Sequence, residues 1–223
     1  MRQFEDSEAS TANRPNRLER RADLRLIAKL VQSGASALDL GCGEGDLMQL
    51  LEEEKEVNAR GIEIEETKVH RAIARGLSVL HDDLEQGLGD YPDGSFDYVI
   101  LSQTLQAVLR PLFVIREMLR VGRLAIVSMP NFGYWRVRWQ LFSRGRMPRT
   151  EELPYEWFDT PNIHLATIND FKALCASENI HIIEDHYLTN DKSIHWLPNW
   201  RAATAVFVLE RIGSILPNAS NSW

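Results

Sequence analysis

Ala37-Leu38-Asp39-Leu40-Gly41-Cys42-Gly43-Glu44-Gly45-Asp46 is the stretch on which the fold turns. An apolar strand delivers the chain to a turn in which three glycines alternate, so the backbone can adopt conformations closed to residues with a Cβ and can press against a ligand. Asp46 then opens a helix with apolar positions at Leu47, Leu50 and Leu51. Eighteen residues past Gly45, Glu63 sits in Gly61-Ile62-Glu63-Ile64, at the end of a second strand. A carboxylate there can accept hydrogen bonds from both hydroxyls of a ribose. The pattern reads as a nucleoside-cofactor pocket; the plainer alternative is a glycine-rich strand-to-helix turn that binds nothing.

The side chains beside the glycines bear on which cofactor. A dinucleotide fold leaves helix N-terminal amides free for a pyrophosphate, because the dipole and the unpaired N–H groups favour an anion. Here Glu44 and Asp46 flank Gly45 with their own negative charge, and the spacing is G-x-G-x-G rather than G-x-G-x-x-G. A ligand with a ribose, an ammonium and no phosphate fits better. S-adenosylmethionine is such a molecule, with Asp39 placed to receive the ammonium directly or through water.

Outward from this turn, strands and helices alternate. Apolar strands are expected at Ala37–Leu40, Ala59–Ile64, Leu77–Leu80, Phe96–Leu101 and Leu124–Met129, then at Ile180–Ile183 and Ala203–Leu209. Helical spacing marks Leu18 to Val31, with Arg17, Arg20, Arg21 and Arg25 expected on its outer surface. Pro111 suits a first helical turn, and Thr167 with Asp170 suits a capped start. The expected architecture is α/β: a Rossmann-like, seven-stranded, mostly parallel sheet with one antiparallel terminal strand and helices on both faces. Ligands in such sheets lie beyond the carboxyl ends of the strands, where strand order reverses. Asp39, Glu63, Asp82-Asp83 and Ser102-Gln103 all fall at such ends.

The 223 residues suit one well-buried domain, expected over 14–211 with residues 131–166 as an aromatic- and proline-rich insertion. Residues 1–13 and 212–223 are expected to be disordered. No apolar run approaches the length of a membrane span, and the polar N-terminus lacks the apolar core of a secretion signal. The two cysteines, Cys42 and Cys175, suggest neither a disulfide framework nor a zinc site, so a cytoplasmic location is expected. The histidines show no metal-ligand spacing, and no metal site is expected.

These residues resemble class I S-adenosylmethionine-dependent methyltransferases from about Leu30 to Leu209. Leu38 to Gly45 looks like that family's first motif. Glu63 matches its ribose-binding acid, Asp83 with Leu84 its adenine contact, and Ser102 with Gln103 the segment under the methionine moiety. The resemblance implies cofactor contacts at Asp39, Gly41, Cys42, Gly43, Glu63, Ile64, Asp83, Leu84 and Ser102. More narrowly, Phe96-Asp97-Tyr98-Val99-Ile100-Leu101-Ser102-Gln103-Thr104-Leu105-Gln106, Pro130 to Arg138 and Leu153 to His164 resemble the MetW family of methionine-biosynthesis proteins. That resemblance implies a bacterial cytoplasmic protein working with a homoserine O-acyltransferase of the MetX kind, and it supplies no methyl acceptor.

Methyl transfer from a sulfonium needs no metal, and alignment supplies much of the rate. Tyr134, Tyr155, Asp159 and His164, all in the insertion, are the candidates expected to face the sheet rim, with Tyr134 and His164 as the catalytic ones; the plainer roles are packing for the two tyrosines and a hydrogen-bonded loop position for His164. Between Arg136 and Arg149 lie five arginines and no acid, interleaved with Trp135, Trp139 and Phe142. This stretch reads as a nucleic-acid surface, a partner interface, or an amphipathic lid helix with its rings inward. The net charge of -7 argues against nucleic acid. Two functions follow: a cofactor-binding protein that supports or regulates the acyltransferase, or an active methyltransferase on a small molecule.

Overall fold

A computed structural model describes residues 21–211. The expected disordered ends, 1–13 and 212–223, and the residues Arg17, Leu18 and Arg20 lie outside the described residues. The elements are α1 (Ala22–Leu30), β1 (Ser36–Leu40), α2 (Asp46–Lys55), β2 (Asn58–Glu63), α3 (Glu66–Ala74), β3 (Val79–His81) and β4 (Phe96–Ser102). There follow α4 (Pro111–Val121), β5 (Gly122–Pro130), α5 (Trp135–Arg144), α6 (Ile168–Ser177), β6 (Ile180–Thr189), β7 (Lys192–Ser193), α7 (Pro198–Arg201) and β8 (Thr204–Arg211).

The strands form one sheet in the order β3-β2-β1-β4-β5-β8-β6-β7. Pairing is parallel from β3 through β5, and β8 runs antiparallel between β5 and β6. Strand order reverses between β1 and β4, which opens a crevice at their carboxyl ends.

The central strands are apolar throughout because both of their faces are covered. Successive side chains point to opposite sides, so Leu38, Leu40, Val99 and Leu101 enter one core while Ala37, Tyr98 and Ile100 enter the other. On the first face α4 packs Ile115 and Met118, and α6 packs Phe171 and Cys175. Helices α1, α2 and α3 cover the second with Ile27, Leu47, Met48 and Ala72. Burying Ile115 or Met118 completely contributes about 1.5–3 kcal/mol each.

Local signals set the ends of these elements. Pro111 stands in the first turn of α4, where its missing N–H loses no bond. Thr167 and Asp170 form a reciprocal capping box at α6, each side chain accepting the other residue's backbone N–H. Gly45 caps α2 in the left-handed region.

Three expectations need correction. The sheet has eight strands rather than seven, because β6 continues to Thr189 and turns through Asn190 (φ 53°) into the two-residue β7. The hairpin segment Leu188–Ser193 has no apolar alternation to reveal it, and a bulge between Ile182 and Glu184 breaks the pattern of β6. Arg21 does not lie on the outer surface of the first helix; it folds back into the crevice, drawn by the buried Asp23 two residues along the chain. Helix α5 exists, but its rings face outward: Trp135, Trp139 and Phe142 are exposed and Val137 is the side chain it buries. Its inner flank packs through Val137 against Tyr134, Leu153 and Ala203 in a small cluster.

Candidate functional site

The glycine turn is held by β2. Gly41 N and Cys42 N both donate to Ile62 O, at 2.8 and 3.1 Å, and Gly45 N closes the turn onto Cys42 O at 3.0 Å. Gly43 and Gly45 are both left-handed, at φ 61° and 83°, but for different ends. A Cβ on Gly45 would lie 2.2 Å from Leu77 Cδ1, so the glycine there lets α2 seat against the neighbouring segment. A Cβ on Gly43 would meet nothing within 4 Å, so this glycine faces open space where a ligand can approach the main chain.

Two carboxylates lie beneath the turn. Glu63, at the end of β2, is buried; its Oε2 accepts from Gly43 N at 2.8 Å and its Oε1 accepts from Glu65 N at 2.9 Å. Each oxygen keeps a second lone pair for a hydroxyl. Asp39 is 4% exposed, and among the described residues no group donates a hydrogen bond to its carboxylate. Burial pushes its carboxyl up to about 7; the Arg21 charge opposes that rise and the Glu63 charge adds to it. A buried carboxyl in this condition is short of a cation. Burial likewise pushes the Cys42 thiol up, with Asp39 and Glu63 adding to the effect, so Cys42 is a neutral lining group rather than a nucleophile.

Further along the rim, Ile64 is exposed while Asp83 and Leu84 are half-buried. Asp83 Oδ1 accepts from Glu85 N at 2.9 Å and so caps a short 3-10 turn over Leu84–Gln86, leaving Oδ2 for an amine. His81 Nε2 lies 2.9 Å from Ile64 O, which braces the same edge. The flanking acids of the turn are engaged by α3 and its C-terminal flank: Arg71 pairs with Glu44 at 2.7 Å and Arg75 with Asp46 at 2.8 Å. Their repulsion of a phosphate is therefore weaker than their bare sequence suggests.

Ser102, at the end of β4, belongs to a network the sequence did not reveal. Arg21 grips Asp23 through Nε and Nη2, both at 2.8 Å, and Nη2 also donates to Ser102 Oγ at 2.7 Å. Asp23 Oδ2 accepts from Ser128 Oγ at 2.9 Å and from Ser102 Oγ at 3.1 Å. Burial alone would raise the Asp23 carboxyl, but the Arg21 guanidinium and the two hydroxyls outweigh it and hold the group below the ordinary range. Arg21 is correspondingly raised against its own desolvation. Asp23 sits on the helix face that also buries Leu24, Ile27 and Ala28, and an acid in that apolar phase is the signal that marks it.

Arg21, Asp23, Gln103, Gln106 and Tyr155 line a cavity of about 380 Å³ beside Ser102. Gln106 Nε2 donates to Gln103 O at 2.8 Å, and its Oε1 is buried without a partner. Neither Tyr134 nor His164 lines this cavity, although the one that Tyr134 lines adjoins it and shares Glu151, Glu152, Pro154 and Asn190 with it. Tyr134 is buried against Val137, Leu153 and Ala203, and it lines a second cavity of about 540 Å³ with Arg136 and Gln140. The side chain of His164 is exposed, while its backbone N donates to Gln106 O at 3.0 Å.

Comparison with known proteins fits this geometry. The profile of one family, described as Methionine biosynthesis protein MetW, matches residues 21–209. The chain belongs to the MetW family. A relative of this MetW-family protein, the "Bifunctional methionine biosynthesis protein MetXA/MetW" of Rhodopirellula baltica, is 35% identical over 210 residues, 88% of this chain. The chain spans 34% of that relative's length. A demethylmenaquinone methyltransferase of Listeria welshimeri is 32% identical over 53% of this chain and 56% of its own length. Among solved structures, an S-adenosylmethionine-dependent methyltransferase of Mesorhizobium loti superposes with a TM-score of 0.64 at 16% identity, covering 85% of this chain and 98% of that one. The MetW-family protein thus has the methyltransferase fold. Among the described residues no helix is long and apolar enough to cross a membrane.

Proposed function

We propose that this protein binds S-adenosylmethionine along the β1–β4 rim and associates in the cytoplasm with a homoserine O-acyltransferase, which it supports or regulates in methionine biosynthesis. The observation that carries the cofactor reading is Asp39, a buried carboxyl without a donor beside a glycine that opens onto free space. An ammonium supplied by the ligand satisfies it. Glu63 takes the ribose hydroxyls on its remaining lone pairs, Ile64, Asp83 and Leu84 take the adenine, and Gly41, Cys42, Gly43 and Ser102 border the amino acid end. The name of the Rhodopirellula baltica relative joins MetXA to MetW, which supports the acyltransferase as partner. Cofactor affinity that differs between the free and the partner-bound protein would couple cofactor level to acyltransferase output.

A second reading, methyl transfer to a small molecule, draws on the polar cavity of about 380 Å³ beside Ser102. Cofactor carrying a labelled methyl group separates the two. Calorimetric binding without label transfer, in the presence of purified acyltransferase and cell extract, supports the regulator; stoichiometric demethylated cofactor supports the enzyme. No heat at millimolar cofactor removes both.

A further inference from the structure

Helix α5 is built backwards for a helix that only covers a core. A ten-residue helix is marginal in water and is normally held by burying an apolar stripe. Here Trp135, Trp139 and Phe142 recur at i, i+4 and i+7, which places them on one face, and that face is turned to solvent with exposures of 40, 60 and 84%. The helix is anchored instead through Val137, with Arg138 donating to Gly133 O at 2.6 Å and stacking over Trp200.

The loop that follows extends the same surface. Gln140 Nε2 donates to Arg149 O at 3.1 Å and Arg149 N donates to Gln140 Oε1 at 3.0 Å, which pins the loop to the helix. Trp157, 71% exposed, then lines a cavity of about 620 Å³ with Gln140, Arg144 and Arg146. Among the described residues Arg136, Arg144 and Arg146 make no ion pair, although the whole chain carries a net charge of -7. Rings at helical spacing flanked by unpaired guanidinium groups form the combination that concentrates binding energy at protein interfaces.

We infer that α5 is the element this protein inserts into its acyltransferase partner, its Trp135, Trp139 and Phe142 face seated in an apolar groove whose acidic rim takes Arg144 and Arg146. The inference rests on the acyltransferase reading above and adds to it the surface used. Helix-in-groove recognition reads anchors at i, i+4 and i+7, the spacing found here. The excess of acid over base in the chain disfavours an extended polyanion such as an anionic lipid surface or a nucleic acid, which the whole molecule's field meets, whereas a short acidic rim within a Debye length of Arg144 and Arg146 meets chiefly those two charges.

The test is a titration of purified homoserine O-acyltransferase against the full chain, its Trp139→Ala/Phe142→Ala form, its Arg144→Glu/Arg146→Glu form, and an Ile73→Ser control. Ile73 is an exposed apolar residue on α3. The expected results are a loss of affinity of at least about 30-fold for the ring variant, from hot-spot losses of 2 kcal/mol or more, a flattened salt dependence for the charge variant, and wild-type affinity for the control. Matching urea-unfolding midpoints for all four proteins show that each is folded. A wild-type complex with which the ring variant competes equally overturns the α5 assignment alone. Failure of the wild-type chain to bind overturns the acyltransferase reading and this inference together. Loss of a homodimer, of vesicle binding or of RNA binding in the ring variant, with acyltransferase affinity intact, assigns the face to another occupant and also overturns the inference.

Discussion

Replacing Asp39 with Asn tests the electrostatics of the site without a ligand. In the unfolded chain this carboxyl titrates near 3.8, and in the folded protein burial raises it to about 7. Between those values the folded state holds a proton that the unfolded state has released, so stability falls as pH rises through the window and levels off above 7. The penalty is absent below 3.8 and fully expressed above 7, where it amounts to about 4 kcal/mol. Between pH 5 and pH 8 the portion expressed is about 2 to 3 kcal/mol. Asn cannot ionise, so the stability of the variant relative to the wild type should climb by that amount across the interval. Any fixed cost of the buried amide drops out of the comparison, because it is the same at every pH. Urea unfolding at pH 5, 6, 7 and 8, read at constant m-value, measures the gap. Parallel pH profiles for the two proteins would refute the claim that Asp39 is a buried carboxyl starved of a cation.

Four further outcomes follow from the same geometry. Cofactor binding at pH 6 should release close to one proton, because the ammonium ionises Asp39, and affinity should rise with pH to about 7; calorimetry in buffers of different ionisation heat reads both. Glu63→Ala should weaken cofactor binding by roughly 1.5 to 3 kcal/mol, and an unchanged calorimetric affinity would withdraw the ribose assignment. Asp23→Ala should destabilise the fold by about 3 kcal/mol, since it strands the Arg21 guanidinium, whereas Arg21→Met with Asp23→Leu should recover much of the loss in urea melts. Gly45→Ala should cost about 1–3 kcal/mol of stability through its collision with Leu77, while Gly43→Ala should cost less and act chiefly on cofactor affinity.

The sheet was legible because its central strands are buried on both faces and so are written in unbroken apolar letters, as in Phe96–Leu101. The turn at Gly41–Gly45 was legible because left-handed backbone needs glycine. What escaped lies where polar residues carry structure. Strand β7 is formed by Lys192 and Ser193, whose pairing with Leu188 and Thr189 is a matter of register that no hydropathy pattern reports. Arg21 reads as one of a run of surface arginines until Asp23, in the apolar phase of α1, is given a partner. Ser128 is hidden the same way, as a lone hydroxyl in the apolar strand β5. The rings of α5 read as core because aromatic residues at helical spacing usually are; only the small cluster that Val137 forms with Tyr134 and Leu153 shows which flank of the helix faces inward.

Glu63 has a consequence beyond its grip on a sugar. Its two oxygens accept from the amides of Gly43 and Glu65 at 2.8 and 2.9 Å, so the protein's own bonds fix the shape of the loop. Capture should then run at the pace of diffusional encounter rather than of loop rearrangement, with hardly any lag in a stopped-flow trace. A sensor built on such a rigid seat would follow swings in metabolite concentration promptly, and any slow step in its response would have to arise downstream, where protein meets protein.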